Sequence, residues 1–104
     1  MEHLQYEFGP YPGAVRPLAH AVLAGVVSSG NLEVLIETTA SGGHMRFAID
    51  TSIAGFEPTW KAVVSQFADQ HRLADVKMSI NDAGATPAVV MLRLAQAIEE
   101  WQAR

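Results

Sequence analysis

Residues 26–35 read Val-Val-Ser-Ser-Gly-Asn-Leu-Glu-Val-Leu, VVSSGNLEVL. Two apolar runs flank four small polar residues. Gly30 and Asn31 tolerate positive φ, and Ser28 and Ser29 can bond to nearby backbone, so the centre has the chemistry of a tight turn. The run before it, residues 18–27 (LAHAVLAGVV), is apolar on both alternating sets, as in a strand covered on both faces. Its alanines would also allow a helix, but Val22, Val26 and Val27 favour a strand. After it, Leu32, Val34 and Ile36 alternate with Glu33, Leu35 and Glu37, the period-two pattern of a half-buried strand. Strands on both sides of the serine pair make this region part of a sheet, which excludes an all-helical bundle.

Working outward, Ser41-Gly42-Gly43 supplies a turn. Beyond it Met45, Phe47 and Ile49 alternate with His44, Arg46, Ala48 and Asp50. That strand is expected to pair with 32–37 as an antiparallel meander. Toward the N-terminus, Gly9, Pro10, Pro12, Gly13 and Pro17 deny a helix to residues 1–17 and leave one short strand around 4–8, an edge strand or an arm. Trp60, Val63, Val64, Phe67 and His71 share a helical face, and Pro58 sits near the first turn, where its missing N–H costs least. A helix over about 57–70 follows. Val76, Met78 and Ile80 alternate with Lys77 and Ser79 as a further strand. Residues 81–87 (NDAGATP) form a loop in which Thr86 caps, and Pro87 begins, a helix reaching about residue 102 along Val90, Met91, Leu94, Ile98 and Trp101. The expected fold is a single α+β domain over 1–104. It is a two-layer sandwich with a largely antiparallel sheet and two helices on one face.

Composition narrows the function classes. An apolar fraction of 49% with 17% charged residues describes a folding chain, and no apolar run is long enough for a membrane span. The formal charge is -4 and the seven Lys and Arg are dispersed, which argues against a nucleic-acid partner. Residues 1–4 (MEHL) lack the basic and apolar regions of a secretory signal, so a cytoplasmic location is expected. The chain has no cysteine. Any thiol chemistry must therefore come from a bound or attached group.

The usual candidates for catalysis form no recognisable constellation. His3, His20, His44 and His71 have no ligand-like spacing, and they read as surface or structurally bonded side chains. Asp50, Asp69, Asp75 and Asp82 each stand near an element end, where carboxylates satisfy turns and caps. Gly84 could open a helix N-terminus to an anion, but an ordinary loop entering a capped helix explains it more simply. Trp60 and Trp101 lie on apolar helical faces, Arg93 reads as a snorkelling side chain at a core margin, and Glu99 and Glu100 as a solvated helix end. Ser28 and Ser29 lack the G-x-S-x-G elbow of a hydrolase nucleophile. As an attachment point a serine needs less, only a hydroxyl that another enzyme can reach. Three readings stay open on the residues alone: a carrier, a small serine hydrolase using Ser29 with a distant histidine, and a non-carrier interaction module of a larger complex.

The run AGVVSSGNLEVLIE resembles the modification-site segment of the acyl carrier, or delta, subunits of malonate decarboxylases. NDAGATPAVVMLRLAQAIEE is similar to that family's C-terminal segment, and TSIAGFEPTWKAVVSQFA extends the likeness over most of the chain from about residue 18. AGVVSSGN is more distantly similar to the serine-bearing segment of citrate lyase acyl carrier subunits. The resemblance implies that the serine just before the glycine, Ser29, carries 2'-(5''-phosphoribosyl)-3'-dephospho-CoA through a phosphodiester; Ser28 is the alternative. Ser28, Gly30 and Asn31 would form the attachment loop, with Asn31 standing where an acidic residue is often found. It also implies three kinds of partner: an acetyl/malonyl transferase subunit, carboxytransferase-like decarboxylase subunits, and a prosthetic-group transferase. The implied role is a non-catalytic carrier of acetyl and malonyl thioesters during decarboxylation of malonate to acetate, with neither a metal nor catalytic residues of its own.

Overall fold

A computed structural model describes residues 1–12, 21–25, 32–39 and 41–102. Period-two alternation forms five strands among them: β1 (Glu2–Phe8), β2 (Ala21–Gly25), β3 (Leu32–Thr38), β4 (Met45–Thr51) and β5 (Val76–Asp82). Two helices follow β4 and β5, α1 (Glu57–His71) and α2 (Pro87–Gln102). The strands join in one sheet in the order β1-β4-β5-β3-β2, with β4 and β5 parallel and the other neighbours antiparallel. This is the expected α+β fold with a largely antiparallel sheet. β1 is the edge strand anticipated for the N-terminal segment, and β2 forms the opposite edge. Within the expected strand 18–27, the described part is 21–25.

One expected pairing is absent. β3 and β4 do not form a meander, because β5 lies between them. The alternation of residues 32–37 and 44–50 fixes which side chains face the core and leaves open which strand is the neighbour. β5 takes the centre, and its core face is fully covered: Val76, Met78 and Ile80 are each at most 1% exposed. A parallel neighbour must be reached by a crossover rather than a turn, and α1 supplies it between β4 and β5.

Register aligns the core in rows across the sheet. Leu4, Ile49, Ile80 and Val34 form one row, and Tyr6, Phe47, Met78 and Ile36 the next. Onto this face α1 sets Trp60, Val64 and Phe67, and α2 sets Val90, Leu94, Ala97, Ile98 and Trp101, all buried at the three- and four-residue spacing of a helical stripe. Phe47 sits at the middle, edge-on to Phe67 at 6.3 Å and to Phe8 at 5.8 Å between centroids. On β1 and β4 the other face of the sheet carries charged pairs. Glu7 and Arg46 lie opposite one another 3.6 Å apart, and His3 pairs with Asp50.

The helix signals in the sequence operate as expected. Pro58 stands in the first turn of α1, and Arg72 ends it in the left-handed conformation with its N–H bonded to the Ala68 carbonyl at 2.8 Å. Thr86 caps α2, its hydroxyl accepting from the Val89 N–H at 3.3 Å.

At the end of the sheet where β3 stops and β5 starts, Asp75 ties down residues 41–44. Its Oδ1 accepts from the Gly43 N–H at 2.8 Å, the Ser41 N–H at 3.0 Å and the Ser41 hydroxyl at 3.2 Å. Gly43 has φ +89°, and a side chain there would press on Pro10, so the turn requires glycine. The Gly43 and Ser41 N–H groups hold the Asp75 carboxyl below its usual value of 3.8. A depressed folded-state pKa gives stability that is present above the unfolded value and lost as pH falls through the folded one. Asp75→Asn keeps a side chain that tolerates this residue's φ of +56° while removing the charge. In urea melts the wild type is expected to exceed the variant fully at pH 7, with the margin closing only below about pH 4. A margin that does not change with pH contradicts this account of the network.

Candidate functional site

The serine-bearing segment joins two edge-side strands whose pairing is defined. β2 and β3 run antiparallel, with Gly25 opposite Glu33 and Ala21 opposite Glu37. Residues 26–31 connect them and lie outside the described residues, as do Ser28, Ser29, Gly30 and Asn31 themselves. What the structure defines is the base on which the segment stands. The chain leaves β2 at Gly25 and enters β3 at Leu32, which is 4% exposed and pairs with Asp82 of β5. Leu32 is thus fixed in the core three residues after Ser29.

The rest of this sheet end is built from the C-terminal ends of β4 and β5, where Thr51 pairs with Asp82, and from the N-terminal turns of both helices. Asp82 organises it. The residue is 8% exposed, and its carboxylate accepts from the Thr51 hydroxyl at 2.8 Å, the Ala85 N–H at 2.8 Å and the Gly84 N–H at 3.2 Å. These bonds compensate for burying a charge and hold the loop that starts α2. They also settle the reading of Gly84. Its N–H is already bonded to a carboxylate, and its φ of +105° serves the turn.

Between the two N-terminal turns lies a cleft of about 560 Å³, within the size range of small-molecule sites. Ile53, Phe56, Trp60, Val63, Ala85 and Val90 form its apolar walls, with Thr59 and Thr86 among the polar groups. At its rim Phe56 is 51% and Ile53 40% exposed, an unusual placement for two large apolar side chains close together.

The other candidates fall where turn and surface chemistry put them. His44 Nδ1 lies 2.7 Å from the Ser41 carbonyl, and His71 stacks on Phe67 at 4.2 Å between centroids. Burial lowers the His71 pKa below its ordinary value. Both lie at the far end of the sheet from the serine-bearing segment. His3 shares that segment's end, but on β1, three strands away from β3. Asp69 pairs with Arg72 at 2.9 Å. Among the described residues no His, Asp and Glu cluster could hold a metal ion. Trp60 and Trp101 are buried, as their helical faces required. Arg93 is half-buried and donates to Gln96 at 2.8 Å, while Glu99 and Glu100 are exposed. His20 lies outside the described residues.

The sequence reading missed the cleft. A signal was present in Gly55-Phe56-Glu57-Pro58, where a phenylalanine precedes a helix without belonging to its apolar stripe. Periodicity sorts residues within an element, so an apolar group just outside one is passed over.

Comparison with known proteins places this geometry in a family. The family described as malonate decarboxylase delta subunit (MdcD) matches residues 19–101. A malonate decarboxylase acyl carrier protein of Xanthomonas campestris pv. campestris is 55% identical over 102 residues, covering 98% of this chain and 96% of the relative. One from Stenotrophomonas maltophilia is 54% identical, covering 95% and 92%. Among solved structures, a chain of a Pseudomonas malonate decarboxylase hetero-tetramer in complex with malonate superposes with a TM-score of 0.77 at 36% identity, covering 96% of this chain and 98% of that one.

Proposed function

The chain belongs to the malonate decarboxylase delta-subunit family, and from that membership we propose that it is the acyl carrier subunit of such a complex. Near-full-length identity to carriers of that name carries the reading. We assign the attachment point to Ser29, joined through a phosphodiester to 2'-(5''-phosphoribosyl)-3'-dephospho-CoA. When attached, this group supplies the thiol on which acetyl and malonyl units are held as thioesters between the other subunits. The chemistry of the chain fits such a group, because no cysteine is present to hold an acyl unit itself.

The chain's own residues anchor and present. A connection between two paired strands, with Leu32 buried immediately after it, gives the tether a firm root while leaving its free end to range. Tethering replaces diffusion between active sites by a high effective concentration at each of them. The partners are a transferase subunit that loads the arm, carboxytransferase-like subunits that decarboxylate the loaded group, and the transferase that installs the arm. In this role Ser29 needs no base to activate it during turnover.

The test is reconstitution. Partner subunits lacking only this chain are expected to release no CO2 from malonate, the modified chain should restore release, and the chain alone should turn over nothing. Undiminished decarboxylation without the chain, or turnover by the isolated chain, refutes the assignment.

A further inference from the structure

The cleft between the helix N-terminal turns stands at the same sheet end as the tether. We propose that it is a resting site for the thiol-bearing end of the chain's own prosthetic arm, an inference that rests on the carrier reading above.

Position supports it first. Asp82, which lines the cleft, pairs directly with Leu32, so cleft and β3 are one strand spacing apart, about 4.8 Å. Ser29 is three residues before Leu32, a covalent reach of at most about 11 Å. The tether is therefore rooted within roughly 16 Å of the backbone at the cleft, by the same chain and strand dimensions. A CoA-derived arm bends back over that distance without strain.

The chemistry of the lining selects which part of the arm enters. Apolar side chains form most of the walls, and Thr59 and Thr86 lie among them. A slender chain of methylenes and amides ending in a thiol matches that mixture: its carbons cover Phe56 and Ile53, and its amides can bond to hydroxyls. A phosphate does not match. The Asp82 carboxylate is in the lining, Glu57 stands in the first turn of α1, and the loop N–H groups of Gly84 and Ala85 are already bonded to Asp82. The diphosphate and ribose units accordingly stay outside, toward the serine. Covering the two exposed rim side chains supplies the driving force, since each removes apolar area from water.

Because the chain has no cysteine, the arm's thiol is the single thiol of the modified protein, and its reactivity reports its whereabouts. The experiment measures the rate of alkylation by a small maleimide on the modified protein, with free CoA as reference and intact mass confirming the adduct. An arm docked nine-tenths of the time reacts about tenfold more slowly than a free one. Thr59→Trp and, separately, Ala85→Phe place bulk in the cleft from its rim, and each is expected to return the rate to within about twofold of CoA if docking is lost. Thermal melts check that both variants are folded. The fluorescence of Trp60 should differ between modified and unmodified wild type, and that difference should disappear in Ala85→Phe. A modified wild type that reacts as fast as CoA, or slow reaction unchanged in both folded variants, overturns the resting site and leaves the carrier reading standing. Absence of any adduct on the wild type overturns the carrier reading, and the resting site falls with it.

Discussion

Ser29→Ala is expected to remove malonate turnover from the reconstituted complex, leaving less than about a hundredth of the wild-type rate, while Ser28→Ala retains most of it. The scale follows from the chemistry. A tether contributes through effective concentration, and losing it returns the acyl unit to a bimolecular encounter, commonly a factor of about 10² to 10⁴. One oxygen atom decides the outcome, because a phosphodiester forms on a hydroxyl and alanine has none. The same substitution should leave the melting temperature almost unchanged. A serine that a modifying enzyme must reach is a surface position under the proposed role, and surface substitutions generally move stability by about 0.5 kcal/mol or less. Normal melting with lost turnover therefore separates an attachment role from a folding role. If Ser28→Ala is the inactive variant instead, the attachment point moves by one residue and the carrier role stands. If both single variants remain active, the tether is elsewhere.

The largest effect on stability is expected at Phe47. This side chain is 1% exposed, lies in the row Tyr6–Phe47–Met78 across three strands, and meets Phe67 of α1 edge-on. Phe47→Ala removes a ring that joins the two layers, and neighbours from two rigid elements can close the space only in part. Losses of about 3–5 kcal/mol are typical for such truncations. For a chain of this size that is a fall in melting temperature on the order of 15 °C or more. Leu92→Ala is the matched control: Leu92 is 52% exposed, and its loss should change stability by no more than about 0.5 kcal/mol. A small effect at Phe47, comparable to that at Leu92, would contradict the packing described for the two layers.

Alternation and capping made most of the elements readable in advance. Val76, Met78 and Ile80 announced a half-buried strand, and Thr86-Pro87 marked a helix start that the Thr86 cap then bears out. Strand order was harder to read. The rule that pairs adjacent strands favoured a β3–β4 hairpin, and only the crossover through α1 brings β5 between them. That outcome depends on contacts distant in sequence, which local pattern does not encode. The candidate site was legible in another way. Turn chemistry identified the Ser-Ser-Gly-Asn connection, and family likeness, rather than periodicity, singled out Ser29 within it. The cleft stayed hidden because its walls come from β4, α1, β5 and α2 at once, joined by Asp82 through bonds to Thr51, Gly84 and Ala85. Asp82 was read as a turn carboxylate, which is true of its bonds to Gly84 and Ala85, but it also ties the end of β4 at Thr51 to the loop that starts α2.

Attachment of a working group to Ser29 is tested most directly by the intact mass of the wild-type chain after co-expression with its modifying enzymes. One CoA-derived adduct is expected, mapped by fragmentation to Ser29, bringing a single alkylatable thiol to a chain that encodes none. An unmodified wild-type chain, or an adduct that persists when Ser29 is alanine, would contradict it.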